Sequence, residues 1–204
     1  MADDLIIVPP GQHGDIAYVA SQDSNLYAVH VVNGSIEWRF TTGTPIVYRP
    51  AVTDDDVYVT TDRGGLRRLD RKTGQAIWRN GAADHFLAAN PKVVYATDRS
   101  GHVLVLDRTR GTQVGSYDAR EFTVPVSNDL TDRIYLAAHD GLIVCLHDRD
   151  LAKPHVNKKW DLTKADDKKK RGDKVKDKPK PKPAPENKEA GDDKDKGEAM
   201  DKKP

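Results

Sequence analysis

Among the residues able to do chemistry, seven histidines and one cysteine come first, and their spacing decides how much they can do. The nearest thing to a metal cluster is His139-Asp140 with His147-Asp148. A metal site needs three or four converging ligands, and adjacent positions on a strand point to opposite faces. These pairs therefore read as turn and surface residues. Asp54-Asp55-Asp56 could hold a weak calcium site, but the run lies between two strand-like stretches and reads as a solvated loop. Cys145, between Val144 and Leu146, reads as a small buried side chain rather than a reactive thiol. Being alone, it excludes an intrachain disulfide and leaves the redox compartment open. Arg63, Arg67, Arg68, Arg71 and Lys72 could form a basic rim for an acidic partner, and their simpler reading is a solvated turn. No catalytic, cofactor-binding or metal-ligating residue is assigned on this basis.

Charge divides the chain into two parts. Residues 1–150 carry 15 Lys+Arg and 20 Asp+Glu, a net of −5, whereas residues 151–204 carry 18 and 12, a net of +6. Arginine supplies 13 of the first 15 cations and lysine 17 of the last 18, the mark of a folded domain followed by a solvated tail. Residues 164–204 have no aromatic residue and almost no aliphatic one, so burial cannot offset their ordering entropy. They are expected to form a disordered Lys/Asp/Glu/Pro-rich tail, with 1–163 as the folded domain. Interleaved acids and missing aromatics disfavour nucleic acid as a partner of that tail. The N-terminus has acids where a signal peptide needs positive charge. No run approaches the ~20 apolar residues of a membrane span. As written, the chain reads as soluble and cytoplasmic.

The elements that must position these residues repeat. Tyr18, Tyr58, Tyr95 and Tyr135 are spaced 40, 37 and 40 residues apart. Each centres a β-rich run, IAYVA, VYVTT, VVYAT and IYLAA, of residues suited to a pleated, half-buried surface. A polar turn follows each: Gln22–Asn25, Asp62–Gly65, Asp98–Gly101 and His139–Gly141. Next come the strands LYAVHV, LRRLD, HVLVLD and LIVCLH, then turns at Asn33-Gly34, Thr73-Gly74 and Arg110-Gly111. The chain then enters SIEWRF, QAIWR and TQVGSY. A further strand can precede each meander, at Leu5–Val8, Ile46–Val52, Phe86–Ala89 and Val124–Val126. Four strands at this period are expected to be the blades of a propeller, here about four of them. VNKKWDL, with Trp160, is placed as the last strand of the fourth unit.

The run AVHVVNGSIEW, Ala28 to Trp38, resembles the docking motif of the pyrroloquinoline-quinone (PQQ) type propeller repeat. That motif sets a small residue first, an acid third, a glycine seventh and a tryptophan eleventh. Ala28, Gly34 and Trp38 match, with His30 in place of the acid. Unit two carries Asp70, Gly74 and Trp78, with Arg68 at the small-residue position. Unit three keeps Asp107 and Gly111, with Val105 and Gly115 in the first and last places, and Cys145 takes the small-residue place in unit four. The resemblance covers roughly Leu5 to Leu162 and implies that each tryptophan packs between blades over a glycine turn. Quinoprotein dehydrogenases of this superfamily hold PQQ and calcium in a central channel, many with a vicinal disulfide that one cysteine cannot form. About four blades are also half of such a channel. The resemblance therefore implies a non-enzymatic, BamB-like scaffold for protein–protein interaction, with no cofactor. It carries two alternatives: a remnant of a PQQ-dependent dehydrogenase, or a propeller binding sugar or another small ligand. It further implies partners that are proteins, and a periplasmic or envelope location if the N-terminus is truncated. Four blades must close tightly, pair with a second copy to complete a ring, or remain an open arc whose edge strands invite self-association.

Overall fold

A computed structural model of the chain describes residues 4–159; the tail expected at 164–204 lies outside the described residues. Four antiparallel meanders follow one another. The first is β1 (Gly11–His13), β2 (Ile16–Ala20), β3 (Asn25–His30) and β4 (Ile36–Thr41). The second is β5 (Ala51–Val52), β6 (Asp56–Thr61), β7 (Gly65–Asp70) and β8 (Ala76–Asn80). The third is β9 (His85–Ala89), β10 (Val93–Thr97), β11 (His102–Asp107) and β12 (Gln113–Asp118). The fourth is β13 (Val124–Val126), β14 (Ile134–Ala137) and β15 (Ile143–Leu146). In every sheet strand order follows chain order, as in propeller blades.

Each inner strand places a residue opposite the repeated tyrosine: Gly11, Ala51, Ala88 and Val126. Small residues suit the first three because inner strands crowd together. A Cβ at Gly11 would lie 2.6 Å from both the Pro50 carbonyl oxygen and a Val52 methyl. This corrects the expected first strand. Leu5–Val8 stands outside the sheet, held by a bond from Gln22 N–H to the Leu5 carbonyl and by Val8 against the first apolar core, because Pro9 and Pro10 have no N–H with which to continue a ladder. Ile46–Val52 likewise shortens to Ala51–Val52, with Ile46 making a separate bridge to Thr61.

The docking motif forms as the resemblance implies. Trp38 lies over Gly74 and Trp78 over Gly111, so close that a Cβ on either glycine would come within 2.6 Å and 2.4 Å of the ring. Both glycines hold φ near +70°, where side chains are strained. Each indole N–H donates to a carbonyl of the next blade, Trp38 to Arg71 at 3.1 Å and Trp78 to Arg108 at 2.8 Å. The acid of the motif caps the same turn. Asp70 Oδ1 accepts from the Lys72 and Thr73 N–H groups, and Asp107 Oδ1 from those of Thr109 and Arg110. Unit one lacks the acid, and Asn33 instead accepts from the Ser35 N–H.

Three apolar cores hold the four blades: Tyr18, Leu26 and Trp38 against Val57, Val59 and Leu69; Tyr58, Leu66 and Trp78 against Phe86, Val94 and Leu106; and Tyr95 and Val103 against Ile134 and Leu136. A closed ring of four would need a fourth core, between the last blade and the first. The described blades therefore form an open arc.

Candidate functional site

The repeated tyrosine shows what each blade offers the next. Tyr18, Tyr58 and Tyr95 are 1%, 1% and 7% exposed, each on the front face that meets the following blade. Tyr135, on the last blade, is 37% exposed. Register places Val126, Tyr135 and Cys145 in one cross-strand row, and Val124, Ala137 and Ile143 in the next. Ile143 is 69% exposed where its counterparts Leu26, Leu66 and Val103 are fully buried. Cys145 is exposed, correcting the expectation of a buried side chain. Its strand has the pattern of a covered face, but among the described residues no blade covers it.

At the exit ends of the inner strands a short strap, residues 155–158, ties three blades together. Asn157 accepts the Asp54 N–H at 2.7 Å, donates from Nδ2 to the Ala89 carbonyl at 2.7 Å, and donates its own N–H to the Leu130 carbonyl at 2.8 Å. Lys158, fully buried, places Nζ 2.9 Å from Asp129. Asp129 also accepts from Arg49 and from the Val52 N–H, both at 3.2 Å. The strap corrects the expected fourth strand of the last blade: Val156 bridges Thr131 rather than β15, and Trp160 lies outside the described residues. Among the described residues the fourth blade has three strands.

A second polar group lies between blades two and three. Asp56, 1% exposed, receives Arg68 at 2.9 Å, Arg108 at 2.7 Å and the Tyr58 hydroxyl at 3.1 Å. Burial, then the Asp56 carboxylate, pushes the Tyr58 phenol far above its usual range. The solvated-loop reading of Asp54-Asp55-Asp56 therefore holds for Asp55 alone, since Asp54 accepts from His13 at 2.8 Å. Nor is the basic run a rim. Arg68 binds Asp56, Arg71 donates to the Asp54 carbonyl at 2.7 Å, and Arg67 to the Thr42 carbonyl at 3.1 Å. Arg63 and Lys72 are the exposed members.

A cleft of about 470 Å³ opens beside the entry ends of the inner strands, between Tyr48, His85, Arg99, Arg120 and Phe122. Its charges are matched within the chain, Arg99 to Asp84 at 3.1 Å and Arg120 to Asp118 at 2.6 Å. His85 is buried in its wall, 2.9 Å from Ser127 Oγ, whose hydroxyl donates to the Phe86 carbonyl. The ring is therefore the donor from Nε2, and burial holds its pKa below the ordinary value. An unfolded chain takes up a proton at histidine below about pH 6.5, and folded His85 resists it, so stability is lost as pH falls through that value. Thermal melts between about pH 7.5 and pH 5 are expected to show this decline, with a shallower slope in His85→Gln. Equal slopes would contradict the assignment.

His139 and His147 are both exposed, and the described residues contain no group of three His, Cys, Asp or Glu able to hold a metal. Asp129 is committed to Lys158 and Arg49, and Asn157 to three backbone groups.

Fold and site together define an arc of β-propeller repeat blades with an apolar face uncovered at one end. Over residues 6–161 the chain matches the family model described as outer membrane protein assembly factor BamB, and it belongs to that family of PQQ-type repeats. BamB from Moraxella catarrhalis is similar in structure, 20% identical with a TM-score of 0.58 over 75% of this chain and 49% of its own. The computationally designed Ika4 protein is 16% identical with a TM-score of 0.58, over 72% of this chain and 93% of its own. A 1-butanol dehydrogenase (quinone) from Thauera butanivorans is 25% identical over 115 residues, 50% of this chain and 18% of that enzyme. The chain thus spans about half of the Moraxella protein and under a fifth of the dehydrogenase.

Proposed function

We propose that this chain is a non-enzymatic scaffold that joins protein modules through its blade faces, in the manner of an assembly factor rather than a dehydrogenase. The observation that carries this reading is the front face of the fourth blade, where Tyr135 and Ile143 are exposed although their counterparts are buried in each of the other three blades. Uncovered apolar patches of this kind mark interaction sites. The strap favours the same reading, because Asn157, Lys158 and Asp129 are spent in holding the arc together.

Likeness to the quinone-dependent butanol dehydrogenase supplies the test. Titration of the protein with PQQ and calcium, followed by dye reduction with 1-butanol, is expected to give no saturable quinone binding and no turnover. Saturable binding with alcohol-dependent dye reduction would overturn the scaffold reading.

A further inference from the structure

We propose that the partner on the fourth blade is the first blade of a second copy of this chain, so that two arcs close one ring. This rests on the scaffold reading and names its partner. The interface already occurs three times within the chain, each time between the front of one blade and the rear of the next. The rear face repeats as an apolar triad: Val57, Val59 and Leu69 in the second blade, Val94, Ala96 and Leu106 in the third, all fully buried. In the first blade the same positions are Ala17, Val19 and Val29, apolar and only half-buried.

The turn beside that face is also open. Gly34 shares the positive φ of Gly74 and Gly111, yet among the described residues nothing beyond its own chain neighbours lies within 4 Å of where its Cβ would be, while the other two glycines lie under tryptophans. One end of the arc thus offers an uncovered front, and the other a rear that is half-open at Ala17, Val19 and Val29, with Tyr27 opposite Val19 already buried. Within a single arc the two ends do not share a core. Between two copies they meet twice under a twofold axis, and contacts of unlike faces close into a ring where the rotation permits. The arc matches 49% of the Moraxella propeller, so two arcs have the length of one such ring.

The test is the solution mass of the full chain, by light scattering and sedimentation, with two variants. The wild type is expected at twice its 22.6 kDa. Ile143→Glu, at an exposed front position, and Val19→Lys, on the rear, are each expected to halve that mass while melting cooperatively. Ala17→Lys stands in should Val19→Lys fail to fold. Mixing the two monomeric variants is expected to restore the dimer, because one of its two interfaces then carries neither substitution and the other sets Glu against Lys. Three results would overturn the ring: a wild type that stays at 22.6 kDa at every concentration, a Val19→Lys variant that remains dimeric while Ile143→Glu does not, or open-ended polymers. None of them bears on quinone binding, so failure of the ring stays distinct from failure of the scaffold reading.

Discussion

Replacing Trp78 with alanine is expected to cost about 3–5 kcal/mol of stability, in the range of large aromatic truncations in cores. Trp78 is buried in the core between the second and third blades and lies flat over Gly111. Removing the ring opens a cavity that the turn cannot fill, since Gly111 contributes no side chain. It also leaves the Arg108 carbonyl without its indole donor. Both losses fall at one of only three seams in the described arc, so the whole arc should unfold at lower denaturant. Urea titration of wild type and variant measures this directly. An unchanged midpoint would refute the packing role. Trp38→Ala is the internal comparison and should cost less, because Trp38 is only half-buried.

Asp56→Ala is the second large effect, about 3–5 kcal/mol, because removing one partner of a buried pair leaves the opposing charge uncompensated. Here Arg68 and Arg108, each only 14% exposed, lose their shared buried carboxylate, and the one carboxylate left to Arg108 is the exposed Asp55 at 3.5 Å. Arg68 occupies the place where the repeat motif has a small residue, and Asp56 is what allows it there. Asp56→Ala with Arg68→Ala should therefore be more stable than Asp56→Ala alone, since it returns that position to the small residue of the motif. A double-mutant cycle by urea titration reads the coupling. Additive costs for the two substitutions would show that Asp56 does not compensate Arg68.

The repeat made most of the fold legible. Tyrosine spacing located the second strand of every blade, and the glycine and tryptophan offsets located the docking turns, because both are local patterns with a fixed period. What stayed hidden depends on partners distant in sequence. Asp56 sits in an acidic run that looks like a loop, and its role comes from Arg108, 52 residues away. The strap at 155–158 resembles the start of a strand, but Asn157 is held by backbone groups of three different blades. Cys145 illustrates the opposite case. Alternation put it on a face that is covered in the other blades, and alternation carries no information about whether a neighbour is present. The first strand differs for a simpler reason: β propensity favours Leu5–Val8, while the ladder needs N–H groups that Pro9 and Pro10 lack.

That uncovered face is the centre of the account, and its lone cysteine is a probe already in place. Ala28, the counterpart of Cys145 in the first blade, is fully buried by the blade that follows it. The decisive measurement is the rate of Cys145 alkylation by a maleimide, under reducing conditions, as protein concentration rises through the dimerisation range. The account predicts that the rate falls as the face becomes covered, and that Ile143→Glu keeps it fast at every concentration. A wild-type rate that stays fast and independent of concentration, with dimers present, would contradict docking through the fourth blade.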